Sequence, residues 1–232
     1  MKDHITIHGR NGQFLAYIAT PASTPASAVV VLQEVFGVNA DIRRHCDELA
    51  EQGYLAVAPD LFWQQEPGVD LDVTSEPDWR HGLRLYGAYD RDAGANDIKD
   101  TIDSVRRLPE CSGKVGILGY CLGALMSYLA AARGAQVDAV VWYHGGDTDK
   151  YLGEVDGIHA PILMHLAEED EFISKDAQAA IRAAVAKKQN ASVYSYAGQS
   201  HAFSRHNGKH YNAAAAHLAN SRTSDFLKRE LH

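Results

Sequence analysis

Residues 114–134 have the sequence KVGILGYCLGALMSYLAAARG, and this stretch decides the fold class. The apolar run KVGIL predicts a buried strand, and the apolar residues within 124–133 predict a helix that ends at Gly134. Only GYCLG, from Gly119 to Gly123, separates the two elements. The strand must therefore enter the helix through a sharp turn with Cys121 at its centre.

Cys121 occupies the central position of a Gly-x-Cys-x-Gly turn. In the related G-x-S-x-G motif the turn forces the central side chain outward, and the flanking glycines avoid clashes. The helix N-terminus also favours a thiolate, the nucleophilic form of cysteine. A small buried core residue is the alternative interpretation, since free cysteine is among the most buried residue types. We interpret Cys121 as a nucleophile, because the strand before it and the helix after it are the context that the motif requires.

Strands and helices alternate along most of the chain. Two stretches of alternating hydrophobicity flank Asn11-Gly12 and predict an N-terminal β-hairpin. Further strands are predicted within residues 28–33, 54–59, 114–118, 138–144, 161–167 and 191–197, and helices within 40–52, 97–108, 124–133, 176–188 and 210–230. This order predicts a mostly parallel sheet between two helical layers, because parallel neighbours need a crossover between them. We expect one α/β domain over residues 1–232, a three-layer αβα sandwich.

Residues 61–79, LFWQQEPGVDLDVTSEPDW, interrupt this alternation. The segment has prolines, acidic residues and little periodicity, so we expect a loop of about 20 residues, longer than most compact domains contain. Two interpretations stay open. The loop borders a pocket, or it is a surface insertion without a role, since loop length costs little stability.

Composition excludes several classes of protein. The net charge of -8 and the pI of about 5.8 argue against nucleic acid as a partner. No apolar run reaches the roughly 18 residues of a membrane-spanning helix, and the start MKDHITIHGR has no signal-like core. Cys46, Cys111 and Cys121 match no zinc or disulfide spacing. We expect a soluble cytoplasmic protein with free thiols, no membrane partner, and neither metal nor organic cofactor.

An acid and a histidine follow two of the later predicted strands. Asp170 lies in LAEEDEFIS and His201 in AGQSHAF, at strand ends where α/β sheets collect their sites. Each has an ordinary alternative, because residues 168–171 are all acidic and the chain has 12 histidines. The order Cys121, Asp170, His201 is nevertheless that of hydrolases with an elbow nucleophile, which favours a catalytic triad.

Five sequence blocks resemble a known family over nearly the whole chain. They are QEVFGVN (33–39), YDRDAGANDI (89–98), GYCLG (119–123), EEDEFIS (168–174) and SHAFSR (200–205). Together they resemble the signature blocks of the dienelactone hydrolases, or carboxymethylenebutenolidases, of the α/β-hydrolase superfamily. The resemblance implies an α/β-hydrolase fold and cleavage of a lactone or small carboxylic ester.

The resemblance also implies catalytic roles. Cys121 matches the nucleophile, Asp170 the acid and His201 the base, and Glu34 matches a glutamate that holds the resting thiol until substrate displaces it. Glu34 follows the strand at 28–33, where a negative charge would raise the pKa of a nearby thiol. A carboxylate that caps the helix near Asn39, or that pairs with an arginine, remains an alternative for Glu34.

The expected chemistry is acyl transfer. Cys121 attacks the carbonyl carbon, and the backbone N–H groups of Leu122 and Val35 form the oxyanion hole. The resulting acyl thioester is hydrolysed by a water that His201 activates while Asp170 orients its ring. The partner is a small-molecule lactone or ester, and we expect a monomer or weak dimer.

The substrate contacts match the family less completely. Arg205 corresponds to an arginine that grips a substrate carboxylate, and a solvated arginine is its alternative. Further pocket positions fall on Tyr86 and Tyr143. A second carboxylate-binding arginine has no counterpart in register, and Arg80 and Arg84 are candidates near that position.

Three differences put dienelactone itself in doubt as the substrate. Trp79 stands at the position of the second arginine, and Leu83 and Ala202 stand where other family members carry polar groups.

Two other classes of function remain as alternatives. His201, His206 and His210 could bind a metal in a metal-dependent hydrolase, although Gly208 weakens the helix that the spacing of the last two would need. A non-catalytic binding or redox-sensing module could use Cys121 as an oxidisable thiol.

Overall fold

The computed structural model describes residues 3–232 and contains an eight-stranded sheet of order β1-β2-β4-β3-β5-β6-β7-β8. The strands are β1 (His4–Gly9), β2 (Gly12–Ala19), β3 (Ala26–Leu32), β4 (Leu55–Pro59), β5 (Cys111–Tyr120), β6 (Ala139–Tyr143), β7 (Ile162–Ala167) and β8 (Ala191–Tyr196). The helices are α1 (Ala40–Glu51), α2 (Glu76–Ala88), α3 (Arg91–Arg106), α4 (Leu122–Ala132), α5 (Lys175–Val185) and α6 (Ala213–Leu231), and a 3₁₀ segment spans Thr148–Gly157.

The strand directions confirm the predicted hairpin and the predicted parallel sheet. Strands β1 and β2 pair antiparallel, and β2 also pairs antiparallel with β4. Every other neighbouring pair is parallel. The carboxyl ends of β3, β5, β6, β7 and β8 therefore lie along one edge of the sheet.

Successive residues of β3 face opposite helical layers, which confirms the three-layer sandwich. Val29 and Val31 pack in a core with residues of α1 and α6, and Val30 packs in a second core with residues of α3, α4 and α5. Both cores are fully buried, as continuously apolar strands of a parallel sheet require. Within residues 3–232, no helix combines the length and apolarity needed to cross a bilayer.

The loop predicted over residues 61–79 ends earlier than expected. Helix α2 begins at Glu76, so the loop is shorter than expected, and Ser75 caps the helix by accepting from the N–H of Asp78. A Cβ atom on Gly82 would lie 2.4 Å from the carbonyl oxygen of Val35. This glycine lets α2 lie directly on the loop after β3, at the carboxyl edge of the sheet. The segment therefore borders the pocket described below.

Candidate active site

The turn between β5 and α4 has the geometry that the GYCLG sequence predicts. Cys121 has φ 50° and ψ -112°, and its N–H donates to the carbonyl of Tyr143 at 3.0 Å. A Cβ atom on Gly119 would lie 2.0 Å from the carbonyl oxygen of Gly123, and one on Gly123 would lie 2.2 Å from that of Leu32. Both glycines are therefore needed for the close approach of strand and helix, and the half-buried Cys121 side chain reaches a cavity.

His201 and Asp170 form a buried pair. Nδ1 of His201 lies 3.0 and 2.9 Å from the two carboxylate oxygens of Asp170. The Asp170 carboxylate also accepts from the N–H groups of Phe172 and Ile173 at 2.9 and 3.2 Å, which fixes its orientation. Because Nδ1 donates to the carboxylate, Nε2 of the neutral ring is left as the basic atom.

The electrostatics of His201 favour the imidazolium. Burial lowers its pKa, but the interactions with Cys121 and Asp170 outweigh burial and raise the pKa to about 10. A thiolate beside an imidazolium is the activated state of a cysteine nucleophile.

Glu34 is held by Arg205. The carboxylate accepts from Nε of Arg205 at 2.6 Å and from Nη2 at 2.8 Å, and both side chains are buried. The guanidinium also lies 4.9 Å from the ring centroid of Phe36 and 5.4 Å from that of Trp79. Both Glu34 oxygens are thus engaged by arginine rather than by the Cys121 thiol, which is the alternative that the sequence left open.

A small cavity of about 140 Å³ joins these groups. Cys121, His201 and Arg205 lie on its wall, as does Tyr86. The remainder of the wall is mostly apolar and is formed by Val35, Trp79, Leu83, Phe172, Gly146 and Asp147. The pocket wall therefore combines a thiol, an imidazole and a guanidinium with a largely apolar surface.

Comparisons with known proteins agree on the family. The model of the dienelactone hydrolase family matches residues 14–231. A carboxymethylenebutenolidase from Pseudomonas putida is 37% identical over 228 residues, covering 98% of this chain and 96% of the relative. The chain belongs to the dienelactone hydrolase family. Membership makes the protein a lactone or ester hydrolase with a small-molecule substrate, and it sets aside the non-catalytic alternative.

Solved structures confirm the α/β-hydrolase fold. A dienelactone hydrolase-like promiscuous phosphotriesterase from metagenomic libraries aligns with a TM-score of 0.80 and 21% identity, over 99% of this chain and 98% of that chain. A dienelactone hydrolase from Anabaena variabilis aligns with a TM-score of 0.72 and 17% identity, over 99% of this chain and 97% of that chain. At these identities the likeness concerns the fold alone.

The expected oxyanion-hole amides lie at the same edge of the sheet. Leu122 is the first residue of α4, and Val35 lies in the loop after β3. Among residues 3–232, neither N–H group donates to a protein acceptor. Val35 lines the cavity, and Leu122 directly follows Cys121 on its wall.

Two predicted substrate contacts lie outside the cavity and are corrected. The Tyr143 side chain is fully buried in the layer of α6, where its hydroxyl lies 2.7 Å from Thr223 Oγ1. The alternation of β6 turns this ring away from the cavity, and only its carbonyl contacts Cys121. The Arg80 side chain is 62% exposed on the outer face of α2, where it pairs with Glu76 at 2.6 Å.

Asp147 is a pocket residue that the sequence analysis did not find. Its Oδ2 accepts from the Tyr86 hydroxyl at 2.7 Å and from Arg91 at 3.3 Å, and its Oδ1 pairs with Lys150 at 2.7 Å. Burial, followed by the hydrogen bond to Asp147, raises the pKa of Tyr86. Tyr86 is therefore held as a neutral phenol on the cavity wall.

His144 is the second residue that the sequence analysis missed. Its side chain is 1% exposed, its ring centroid lies 4.5 Å from that of His201, and neither ring nitrogen has a hydrogen-bond partner among the described residues. Burial, together with the positive charges of His201 and Arg205, lowers its pKa well below 6.5. Its position directly after β6 was an available signal, the same one that identified His201.

The C-terminal histidine cluster does not form. His206 Nδ1 lies 2.8 Å from Asp41, whereas His210 Nδ1 lies 3.2 Å from Glu171. His201 is paired with Asp170. The three histidines thus have separate partners, which removes the basis of the metal-dependent alternative.

Proposed function

We propose that this protein hydrolyses a lactone or small carboxylic ester by nucleophilic catalysis through Cys121. The observation that carries the proposal is the buried His201, bound to Asp170 at 2.9 Å and sharing a cavity with Cys121. The interactions of His201 with Cys121 and Asp170, which raise its pKa to about 10, support its proposed role in proton transfer at this site.

In the proposed reaction the Cys121 thiolate attacks the carbonyl carbon and forms a C–S bond. The negative charge on the carbonyl oxygen is stabilised by the N–H groups of Leu122 and Val35. Collapse breaks the ester C–O bond, and imidazolium His201 donates its proton to the departing oxygen. The neutral ring then takes a proton from water, which attacks the thioester, releases the acid and restores the thiol pair.

The pocket supports a small substrate with at most one carboxylate. The cavity of about 140 Å³ is mostly apolar, and Arg205 is the cation that it offers. A substrate carboxylate could bind this guanidinium by replacing the Glu34 carboxylate, since both are planar anions with two acceptor oxygens. Trp79 provides no second cationic contact, so neutral lactones and esters are included in the proposed substrate class.

Displaced Glu34 would need a new hydrogen-bond donor because the site is buried. A ring nitrogen of His144 lies within 4.8 Å of a Glu34 carboxylate oxygen and of His201. We propose that neutral His144 is this donor and that its ring N–H binds the displaced Glu34 carboxylate. The unpartnered state of both His144 nitrogens supports the proposal.

The experiment is a substrate screen with covalent trapping. Wild type, Cys121→Ala and Cys111→Ala are assayed against cis- and trans-dienelactone, neutral lactones and p-nitrophenyl esters, and rapidly quenched reactions are analysed by mass spectrometry. We expect turnover in wild type and in the matched Cys111→Ala control, none in Cys121→Ala, and an acyl adduct on the peptide with Cys121. Full activity of Cys121→Ala would contradict the mechanism.

A further inference from the structure

Three side chains outside the active site converge beside helix α1. Asp41 and His45 lie one turn apart on α1, and His206 lies in the segment between strand β8 and helix α6. His206 Nδ1 lies 2.8 Å from Asp41 Oδ1, and His45 Nε2 lies 3.6 Å from Asp41 Oδ2. One nitrogen or oxygen atom from each of the three lies within 4.8 Å of the others. The group is thus compact enough to surround one ion.

His45 points an unsatisfied atom into this group. The residue is 5% exposed, and its ring stacks on Tyr120 with centroids 4.6 Å apart. Its Nε2 has no hydrogen-bond partner among the described residues, because 3.6 Å to Asp41 is too long for a hydrogen bond. The contacts of His45 with Asp41 and Glu48 are at ion-pair distances of 3.6 and 3.7 Å, so within residues 3–232 its ring nitrogens lack the close partner that buried polar atoms usually have.

We propose that Asp41, His45 and His206 bind one divalent first-row transition-metal ion, with Zn²⁺ preferred. Zinc binds histidine nitrogen and carboxylate oxygen at about 2.0–2.2 Å, so adjacent ligand atoms of a tetrahedral site lie on the order of 3.3 Å apart. The distances of 2.8 and 3.6 Å bracket that separation. Two imidazoles also favour zinc over calcium or magnesium, which prefer oxygen ligands.

Glu48 lies behind both imidazoles, in the position of an outer carboxylate that a bound ion would draw into contact with them. Its Oε2 lies 3.7 Å from His45 Nδ1, and its Oε1 lies 3.8 Å from His206 Nε2. These are the ring nitrogens opposite to those that face Asp41. Carboxylates behind metal-bound histidines fix the ring orientation and raise ligand basicity. Arg44 in turn holds Glu48 Oε1 at 2.8 Å.

The group is accessible and connects two parts of the molecule. One surface cavity is lined by Asp41 and His206, and another by His45 and Glu48, so an ion can enter from either side. His206 directly follows Arg205 in the chain. A bound ion therefore ties α1 to the segment that carries Arg205, and it stabilises the native state because the unfolded chain lacks this arrangement.

The test measures Zn²⁺ binding to metal-free, full-length protein by calorimetry, with thermal unfolding in parallel. We expect one equivalent of Zn²⁺ and a raised Tm for wild type. Asp41→Asn and His206→Gln should weaken binding by at least about tenfold, and Glu48→Gln by about 10–100-fold. The Glu48 and His206 side chains are 34% and 13% exposed, so these variants keep the test valid if Asp41→Asn fails to fold.

A second group of possible metal ligands lies in the active site, and the controls must exclude Zn²⁺ binding there. Glu34, His144 and His201 also offer ligand atoms within 4.8 Å of one another, next to Cys121. We expect His201→Asn and Cys121→Ser to bind Zn²⁺ as wild type does, and bound Co²⁺ to show no thiolate charge-transfer band. Absence of saturable Zn²⁺ binding would overturn the proposal. It would equally be overturned if binding survived His206→Gln and Glu48→Gln unchanged, or was lost in Cys121→Ser.

Discussion

Cys121, Asp170 and His201 each follow a strand of the sheet at its carboxyl edge, whereas the pocket wall opposite them comes from helix α2 and from loops. The positions of the first group are set by the turns that follow these strands and by hydrogen bonds between neighbouring strand ends. The wall depends on contacts between distant parts of the chain, such as the Glu34–Arg205 pair, which spans 171 residues. In the proposed mechanism the strand edge carries out the reaction, and the wall selects the substrate.

The largest effect that this comparison predicts is a loss of activity in Asp170→Asn. An asparagine leaves the geometry in place but favours the wrong tautomer of His201 and no longer stabilises the imidazolium. We expect kcat to fall by about 10³–10⁴-fold, which corresponds to about 4–5.5 kcal/mol of transition-state stabilisation. The matched control is Glu169→Gln on the same loop, whose side chain is 57% exposed. Similar kcat values in the two variants would show that Asp170 has no role in the reaction.

The next effect concerns the turn rather than the triad. In Gly123→Ala the new methyl group meets the Leu32 carbonyl, only 2.2 Å away, so β3 and α4 must separate. We expect the free energy of unfolding to fall by about 3 kcal/mol, measured by urea denaturation. Gly153→Ala is the control, since nothing lies within 4 Å of its added methyl group. Equal stability of the two variants would mean that the close approach at the elbow is not required.

The strand edge was also the part that the sequence predicted well. Buried strands, their order along the chain and the glycines around Cys121 are local signals, and the structure confirms the sheet and the elbow. Asp170 and His201 were found because each follows such a strand. The same rule would have indicated His144, which directly follows β6. The neighbouring tyrosine and glycines form no known motif, so the sequence does not show that this imidazole is buried and unpartnered.

The wall was predicted less well because its signals are not local. Helix α2 was missed since Gly82 and Gly87 lower its helical propensity, and Gly82 is present for its contact with Val35. Asp147 reaches Tyr86 across 61 residues, which no sequence spacing reveals. The group of Asp41, His45 and His206 was not predicted for the same reason. His206 lies at least 161 residues after the other two members, in a loop that contacts α1 only in the folded protein.

A smaller effect is expected for Arg205→Lys, which should change substrate preference without removing the catalytic groups. Lysine keeps the charge but loses the two-pronged contact that a carboxylate needs. We expect kcat/KM for carboxylate-bearing lactones to fall by about 10–100-fold, while that for neutral esters changes less. Arg80→Lys is the control, because the Arg80 side chain is 62% exposed and lies outside the cavity. An equal loss for both substrate classes would assign Arg205 a structural role only, through its ion pair with Glu34.

The smallest effect is a change in the pKa of His201, which tests whether the Cys121 side chain interacts with this ring in the resting protein. The folded-state pKa of about 10 lies above the ordinary value of 6.5, so the pair contributes stability that is fully present below pH 6.5 and is lost as the pH rises towards 10. In Cys121→Ala the interaction of His201 with Cys121 is absent while burial remains, so the pKa of His201 should fall, and this part of the pH dependence of unfolding should shrink. NMR titration of the ring measures the pKa directly, and Cys111→Ala removes a thiol elsewhere as the control. If the pKa of His201 is the same in wild type and Cys121→Ala, no thiolate-imidazolium pair exists in the resting protein, and the base acts only after substrate has bound.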